Sequence, residues 1–248
     1  MTRTLITAGA SGIGLAMAEA FAARGDEVWV TDVDGAALEN LPAGIEGRFC
    51  DVTDEARMAE VMAEAGTLDV LCANAGIAGP TALIEDVALA DWRACVAVNL
   101  EGAFLAAKLA LPAMKAAGSG AVIFTSSTAG LYGYPNRAPY AAAKWAIIGL
   151  MKTVAMEAGP FGVRANAICP GAVEGARMEG VLAREAAAKG MSRDQVYEGY
   201  ASGTSMRRFV EARDIAEMAV FLGSEAARLV SGQVIAVDGH TENPDPKL

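Results

Sequence analysis

The feature that most limits how this chain can fold is an alternation. Short runs rich in β-branched residues (4–7, 27–31, 47–50, 68–72, 121–125, 163–168 and 233–237) are separated by Ala-rich stretches of helical character (12–24, 54–64, 91–117, 140–158 and 211–222). Most of the short runs are apolar throughout, as strands are when a parallel sheet is covered on both faces. Repetition of strand and helix builds βαβ units, so the expected architecture is α/β, a doubly wound parallel sheet of about seven strands with helices on both faces. The 248 residues, 53% of them hydrophobic, suffice for one core, and no linker, repeat or low-complexity tract divides them. A single domain over 1–248 is expected. The stretch 174–210 departs from the pattern, with no strand and only polar, Ala-rich helical sequence and several glycines. An insertion after the C-terminal end of a strand falls where open α/β sheets bind ligands. Residues 174–210 are therefore read as a helical substrate lid, the alternative being a surface helical pair that aids assembly.

The charge balance removes whole classes of function. Lys and Arg total 20 against 30 Asp and Glu, a formal net charge of −10. Nucleic-acid phosphates and anionic membrane surfaces both call for a basic face, so neither is an expected partner, and a small-molecule substrate is. The one histidine, His240, leaves no material for a Ser–His–Asp triad or a His-rich metal site. No metal is expected, and acid–base chemistry falls to Tyr, Lys, Asp, Glu or Cys. Cys50, Cys72, Cys95 and Cys169 stand in apolar runs without a C-x-x-C pair, which reads as small buried hydrophobes in a reducing compartment. Residues 1–7 run straight into a strand-like segment, and no apolar run of about 18 residues is apparent. The expected location is the cytoplasm.

Thr4-Leu5-Ile6-Thr7 leads into Ala8-Gly9-Ala10-Ser11-Gly12-Ile13-Gly14 and then into a helix. Glycine is needed where backbone approaches a diphosphate and where a helix packs close on a strand. The free N–H groups of the first helical turn, with the helix dipole, favour a phosphate there. The unit is thus Rossmann-type, and Gly9, Ser11, Gly12, Ile13 and Gly14 are cofactor-binding candidates. Asp32 ends the second strand, 18 positions beyond Gly14, where a carboxylate accepts hydrogen bonds from the hydroxyls of an adenosine ribose. It would repel a 2′-phosphate: at about 4 Å and an effective dielectric near 20, each pair of unit charges is worth about 4 kcal/mol. No Lys or Arg follows within the next few residues, so NAD is expected over NADP. The alternative for Asp32 is a helix N-cap.

With these residues in place, the chain resembles the short-chain dehydrogenase/reductase family from Leu5 to about Gly239. The family's T-G-x-x-x-G-x-G turn reads Thr7-Ala8-Gly9-Ala10-Ser11-Gly12-Ile13-Gly14 here, with Ala8 at the usual first glycine. The resemblance implies that Asp51 and Val52 contact the adenine, that Asn74, Ala75 and Gly76 line the cofactor's ribose, and that Pro170, Gly171 and the backbone of Val173 meet the nicotinamide. It implies a catalytic tetrad of Asn99, Ser127, Tyr140 and Lys144, with Tyr140 and Lys144 also touching the cofactor. Ser127 is chosen over Ser126 because it lies 13 residues before Tyr140 and heads Ser127-Thr128-Ala129-Gly130, the family's S-x-x-G. A homotetramer is implied as well, packed through the helices around 91–117 and 140–158 and through the last strand. Gly175 stands where the family commonly has a threonine, and His240 where it often has a second glycine.

Tyr140 and Lys144 are four apart and so share one face of a helix. Bringing a phenol from its usual pKa near 10 to near 7 takes about 4 kcal/mol of differential stabilisation. A neighbouring ammonium and the positive ring of NAD⁺ supply it by favouring the phenolate. Tyr140 is then the base for an alcohol or the acid for a carbonyl, Ser127 holds the substrate oxygen, and Asn99 anchors a water that relays protons between Lys144 and solvent. Arg137 and Arg177 are substrate candidates, since a guanidinium binds a carboxylate bidentately; a surface or ion-pairing role is the alternative for both. The expected function is an NAD-dependent oxidoreductase that interconverts a secondary alcohol and a ketone on a small sugar-acid-like or hydroxy-acid-like substrate. A lyase or epimerase, and an NAD-sensing protein without turnover, are the alternatives on the same fold.

Overall fold

A computed structural model describes residues 2–243. Strands β1 (Arg3–Thr7), β2 (Glu27–Asp32), β3 (Ile45–Phe49), β4 (Val70–Ala73), β5 (Gly120–Thr125), β6 (Val163–Pro170) and β7 (Val234–Val237) form one sheet in the order β3-β2-β1-β4-β5-β6-β7. Every pairing is parallel. The helices are α1 (Gly12–Ala23), α2 (Gly35–Glu39), α3 (Glu55–Ala65), α4 (Leu89–Val96), α5 (Gly102–Ala117), α6 (Ala138–Ala158), α7 (Ala176–Lys189), α8 (Arg193–Ser202) and α9 (Ala212–Leu222). The doubly wound fold is therefore as expected, and its two cores show why the strands are apolar throughout. Along β5, Val122 and Phe124 face a core with Met58, Met114, Ile147 and Met151 from α3, α5 and α6. The intervening Ala121 and Ile123 face the other core, with Met17, Phe21, Ile215 and Leu222 from α1 and α9. Alternate residues point to opposite faces, and both faces are dry.

Each expected strand and helix lies within two residues of its expected limits, and α2 is an addition to them. Strand β3 begins at Ile45 rather than at 47 and pairs with β2 from Val28↔Ile45 to Asp32↔Phe49. Gly47 lies inside it because Leu38 and Leu41 pack on that spot; a Cβ there would sit 2.7 Å from Leu41 Cδ1. Helix α2 is only five residues long, too short to leave a periodic signature, and its N-cap is Asp34, whose carboxylate accepts from the Ala37 N–H at 3.0 Å. The long helical stretch 91–117 begins earlier, at Leu89, and is split by a π-helical turn over Ala97–Glu101. That run, Leu89–Ala117, is long and apolar enough to cross a membrane by length and composition, with a mean hydropathy of 1.6, which the sequence reading did not anticipate. Its α5 portion lays Ala103, Ala106, Ala107, Ala110 and Met114 onto the sheet, so that apolarity serves the core.

The stretch 174–210 forms α7 and α8 around a small core of its own, in which Leu182, Val196 and Tyr200 meet Phe209. Its two ends leave the sheet side by side through a parallel bridge between Val173 and Val210. Gly175, at the start of α7, has φ +136°, a conformation that L side chains rarely adopt. That accounts for glycine at this position. At the other end, residues 203–206 pair with the loop after β7: the Ser205 N–H donates to the His240 carbonyl, and the Ser205 hydroxyl lies 3.0 Å from His240 Nδ1. His240 itself has φ +63°, the left-handed region that favours glycine.

Candidate active site

The strand order reverses between β1 and β4, and a crevice opens there at the carboxyl ends of the strands, as open α/β sheets provide. A cavity of about 380 Å³ runs from the β1–α1 turn past the ends of β5 and β6 to α7. Backbone approach sets the turn. A Cβ on Gly14 would stand 2.0 Å from the Ala8 carbonyl oxygen, and one on Gly9 would stand 2.5 Å from Val30 Cβ. Gly12, at φ +53°, meets nothing within 4 Å and lines the cavity. Ser11 is the N-cap of α1 but makes no side-chain cap bond, so the N–H groups of the first turn are open to an acceptor. An open helix N-terminus beside a glycine with space above it fits a diphosphate. Ala8 holds φ +51° without being glycine.

Ser11, Gly12, Ile13, Gly14, Asn74, Gly76, Ser127, Arg137, Tyr140, Lys144, Pro170, Gly171, Val173 and Arg177 all line this one cavity. Gly9, Asp32, Asp51, Val52, Ala75 and Asn99 do not. Gly9 is turned onto Val30 in β2, and Val52 packs where a Cβ on Gly102 would fall. Asp51 accepts from the Thr53 N–H and hydroxyl, closing its own turn. Asp32 takes the Ala10 N–H at 3.1 Å on one oxygen and the Val33 and Asp34 N–H groups on the other. Its carboxylate thus pins the glycine turn to the end of β2 rather than capping α2. Thr7 Oγ1 accepts from the N–H groups of Asn74 and Ala75, and the Asn74 amide donates to the Thr7 carbonyl, so residues 74–76 are fastened to β1.

The chemistry-bearing side chains come from three elements. Tyr140 lies in the first turn of α6 and Lys144 one turn on. The Lys144 ammonium is buried, donates to the Thr125 carbonyl at 2.8 Å and stands 5.6 Å from the Tyr140 ring centroid. From Thr125 to Gly130 only Ser127 is not buried, whereas the Ser126 hydroxyl is turned inward and donates to the Lys144 carbonyl at 2.8 Å. Gly130 allows this close approach, since a Cβ there would meet Ser126 Oγ at 2.5 Å and the Lys144 carbonyl at 2.7 Å. Asn99 sits in the π-helical turn, fully buried. Its amide donates to the carbonyls of Cys95 and Ile77, and its Oδ1 accepts no hydrogen bond among the described residues. That oxygen and Lys144 Nζ would lie 2.5 and 3.3 Å from a Cβ on Gly76. A π turn at a functional residue is a common association.

Burial opposes ionisation of the Tyr140 phenol. The Lys144 ammonium, Arg177, a hydrogen bond with Ser127 and Arg137 together outweigh it and hold the phenol below its ordinary range. Burial lowers Lys144 in turn, and the nearby phenol offsets part of that. A phenol and an ammonium pushed toward each other in a cleft are the mark of proton-transfer chemistry. The four cysteines are all buried free thiols. No cluster of three or more His, Cys, Asp or Glu suited to a metal occurs among the described residues.

Arg137 is buried, with its guanidinium over the Tyr140 ring at 4.9 Å, while Arg177 stands exposed at the cavity mouth. The walls between them are Tyr134, Met178, Val181 and Tyr200. The sequence reading missed Glu185 and Tyr200. Glu185 is buried, lies 3.7 Å from Arg137 and accepts from the Tyr200 hydroxyl at 2.6 Å. Nothing in the local pattern marks it, because a Glu in an Ala-rich amphipathic helix reads as a solvated charge.

Residues 7–240 match the family model described as enoyl-(acyl carrier protein) reductase. The chain is 37% identical over 245 residues to cis-4-hydroxycyclohexanecarboxylate dehydrogenase of Sinomonas cyclohexanicum, covering 95% of this chain and 94% of that one. It is 38% identical over 256 residues to D-beta-hydroxybutyrate dehydrogenase of Cupriavidus necator, covering 95% of each. Among solved structures, NAD⁺-bound xylitol dehydrogenase superposes with a TM-score of 0.91 at 29% identity, over 96% of this chain and 98% of that one.

Proposed function

The chain belongs to the short-chain dehydrogenase/reductase family of oxidoreductases, and on that premise we propose that it is an NAD-dependent dehydrogenase acting on the secondary hydroxyl of a small hydroxy acid. The observation that carries the reading is one cavity holding Tyr140, Lys144 and Ser127 at one end and two guanidinium groups, Arg137 and Arg177, beside them. Apolar and aromatic walls between the cations suit a compact carbon body that carries one carboxylate.

In the oxidative direction the Tyr140 phenolate takes the substrate's hydroxyl proton, and in the reverse direction the phenol returns it. The Ser127 hydroxyl donates to the substrate oxygen and holds it against Tyr140. Lys144, anchored on the Thr125 carbonyl, favours the phenolate. Asn99, with its Oδ1 unpartnered near Lys144, anchors the water through which the proton reaches solvent. The nicotinamide cofactor, when bound over Gly12, Gly14, Asn74 and Gly76, supplies the hydride acceptor. Asp32 supports NAD over NADP, because one carboxylate at the end of β2 faces a 2′-hydroxyl well and a 2′-phosphate badly. Residues 174–210 serve as the lid. Assembly as a homotetramer is supported by exposed Trp145 and Met156 on α6 and Phe104 on α5, and a reducing, cytoplasmic setting by four buried free thiols.

The test is an absorbance assay at the NADH band with hydroxy acids, sugar acids and neutral polyols, run with NAD⁺ and NADP⁺ in parallel. The expected result is turnover of a hydroxy acid with at least about tenfold preference for NAD⁺. Equal efficiency with NADP⁺ overturns the cofactor assignment. Dinucleotide binding without turnover of any compound favours the non-catalytic alternative.

A further inference from the structure

Glu185 has no part in the reaction above, yet it is 2% exposed and stands behind the cavity wall. Its Oε1 accepts from the Tyr200 hydroxyl at 2.6 Å and lies 3.7 Å from Arg137 Nη1. Its Oε2 lies 3.5 Å from Lys189 Nζ and accepts no hydrogen bond among the described residues. Burying a charged pair is costly unless its members are well partnered, and removing one partner of such a pair is strongly destabilising. Arg137 is held in three ways: Nη2 donates to the Ala78 carbonyl at 3.2 Å, the guanidinium lies over Tyr140, and Nη1 faces Glu185. Its Nε is buried and donates to nothing among the described residues. A charge carried by α7, steadied by a hydroxyl from α8, thus reaches the residue three positions before Tyr140.

We propose that Glu185 is a positioning residue that acts through Arg137. It orients the guanidinium that receives the substrate carboxylate, so the seating of α7 and α8 and the geometry of the anion subsite are set together. This rests on the reading of Arg137 as a carboxylate anchor. A guanidinium offers a planar fork, and its value to a carboxylate depends on how the plane is aimed. Without Glu185 the charge persists and the aim is lost.

The experiment compares a turned-over hydroxy acid with its uncharged amide in Arg137→Met, Glu185→Gln and the double variant, following KM, kcat and thermal unfolding. Arg137→Met raises KM for the acid by about tenfold or more and leaves that for the amide within about twofold. Glu185→Gln raises KM for the acid by about tenfold, with kcat for either compound within about threefold. Since Glu185 acts through Arg137, the double variant matches Arg137→Met in KM. If Arg137→Met raises KM for the acid and Glu185→Gln leaves it unchanged or lowers it, the proposal is overturned and the anchor reading stands. If Arg137→Met leaves it unchanged, both are overturned. Should Glu185→Gln fail to fold, Tyr200→Phe carries the test, because it loosens the carboxylate and keeps both charges. An unchanged KM for the acid in that variant overturns the proposal.

Discussion

On one side of the cavity the wall is backbone. Between β1 and α1 the tightest approach is to main chain, the Ala8 carbonyl beneath Gly14. On the other side the wall is charge and aromatic surface: Arg137 before α6, Arg177 on α7 and Tyr200 on α8, with Glu185 of α7 behind them. The first region offers geometry that suits a group common to many reactions. The second offers side chains whose identity can change without moving the sheet. A substitution in the backbone wall should therefore alter folding and dinucleotide affinity together, whereas one at an exposed cation of the charged wall should alter substrate preference and proton transfer at unchanged stability.

The group between the two regions gives the largest expected effect. Tyr140→Phe removes the proposed proton carrier and should lower kcat by about three orders of magnitude or more. Dinucleotide affinity, measured by fluorescence titration, should stay within about threefold. Retention of most activity would falsify the assignment. Next comes Gly14→Ala, whose Cβ meets the Ala8 carbonyl oxygen at 2.0 Å. Overpacking of this kind costs about 1–3 kcal/mol, so calorimetry should show Tm lower by roughly 5 °C, with weaker dinucleotide binding. A loss of substrate affinity alone would erase the distinction between the walls.

Arg177→Ala is the matching change on the charged side. It should raise KM for a hydroxy acid by about tenfold, the worth of one charge-assisted hydrogen bond, at unchanged Tm. It should also move the pH profile. In the proposed mechanism oxidation requires the phenolate, so activity should fall as pH drops through the Tyr140 pKa. Arg177 helps hold that pKa down, and without it the acid limb moves to higher pH. The smallest effect is expected for Ala8→Gly. The left-handed conformation at φ +51° costs an alanine about 1 kcal/mol, and its relief should raise Tm by about 2–4 °C without changing KM.

The same contrast decides what could be read from the sequence. The βαβ order, the glycine turn and the Tyr140–Lys144 pairing are local: each depends on residues within a turn or two of one another, and periodicity or spacing exposes them. The preference for Ser127 over Ser126 rests on the family's spacing; both follow β5, with the Ser126 hydroxyl turned inward onto the Lys144 carbonyl and Ser127 left unburied. Strand β3 was misplaced by two residues because its limits depend on Leu38 and Leu41 covering Gly47, a tertiary fact. The π turn at Ala97–Glu101 left no mark, since one extra residue in a helix keeps the apolar pattern nearly intact. Glu185 was invisible because residues 137, 185 and 200 meet only once α7 and α8 are seated. Asp32 was read for its reach toward a ribose, and its three bonds to backbone N–H groups appear only with the turn folded beside it.

The bridge between Val173 and Val210 gives the molecule a socket. Because both ends of the intervening chain leave the sheet at neighbouring positions, that chain is a cartridge, and one of another length can be plugged in at an entropic penalty that grows only as the logarithm of its length. A replacement must keep two couplings outside the socket: a carboxylate for Arg137 and a strip to meet the loop around His240. A graft that preserves both would leave Ser127, Tyr140 and Lys144 in place, since none lies within 174–210, and would change the walls beside them.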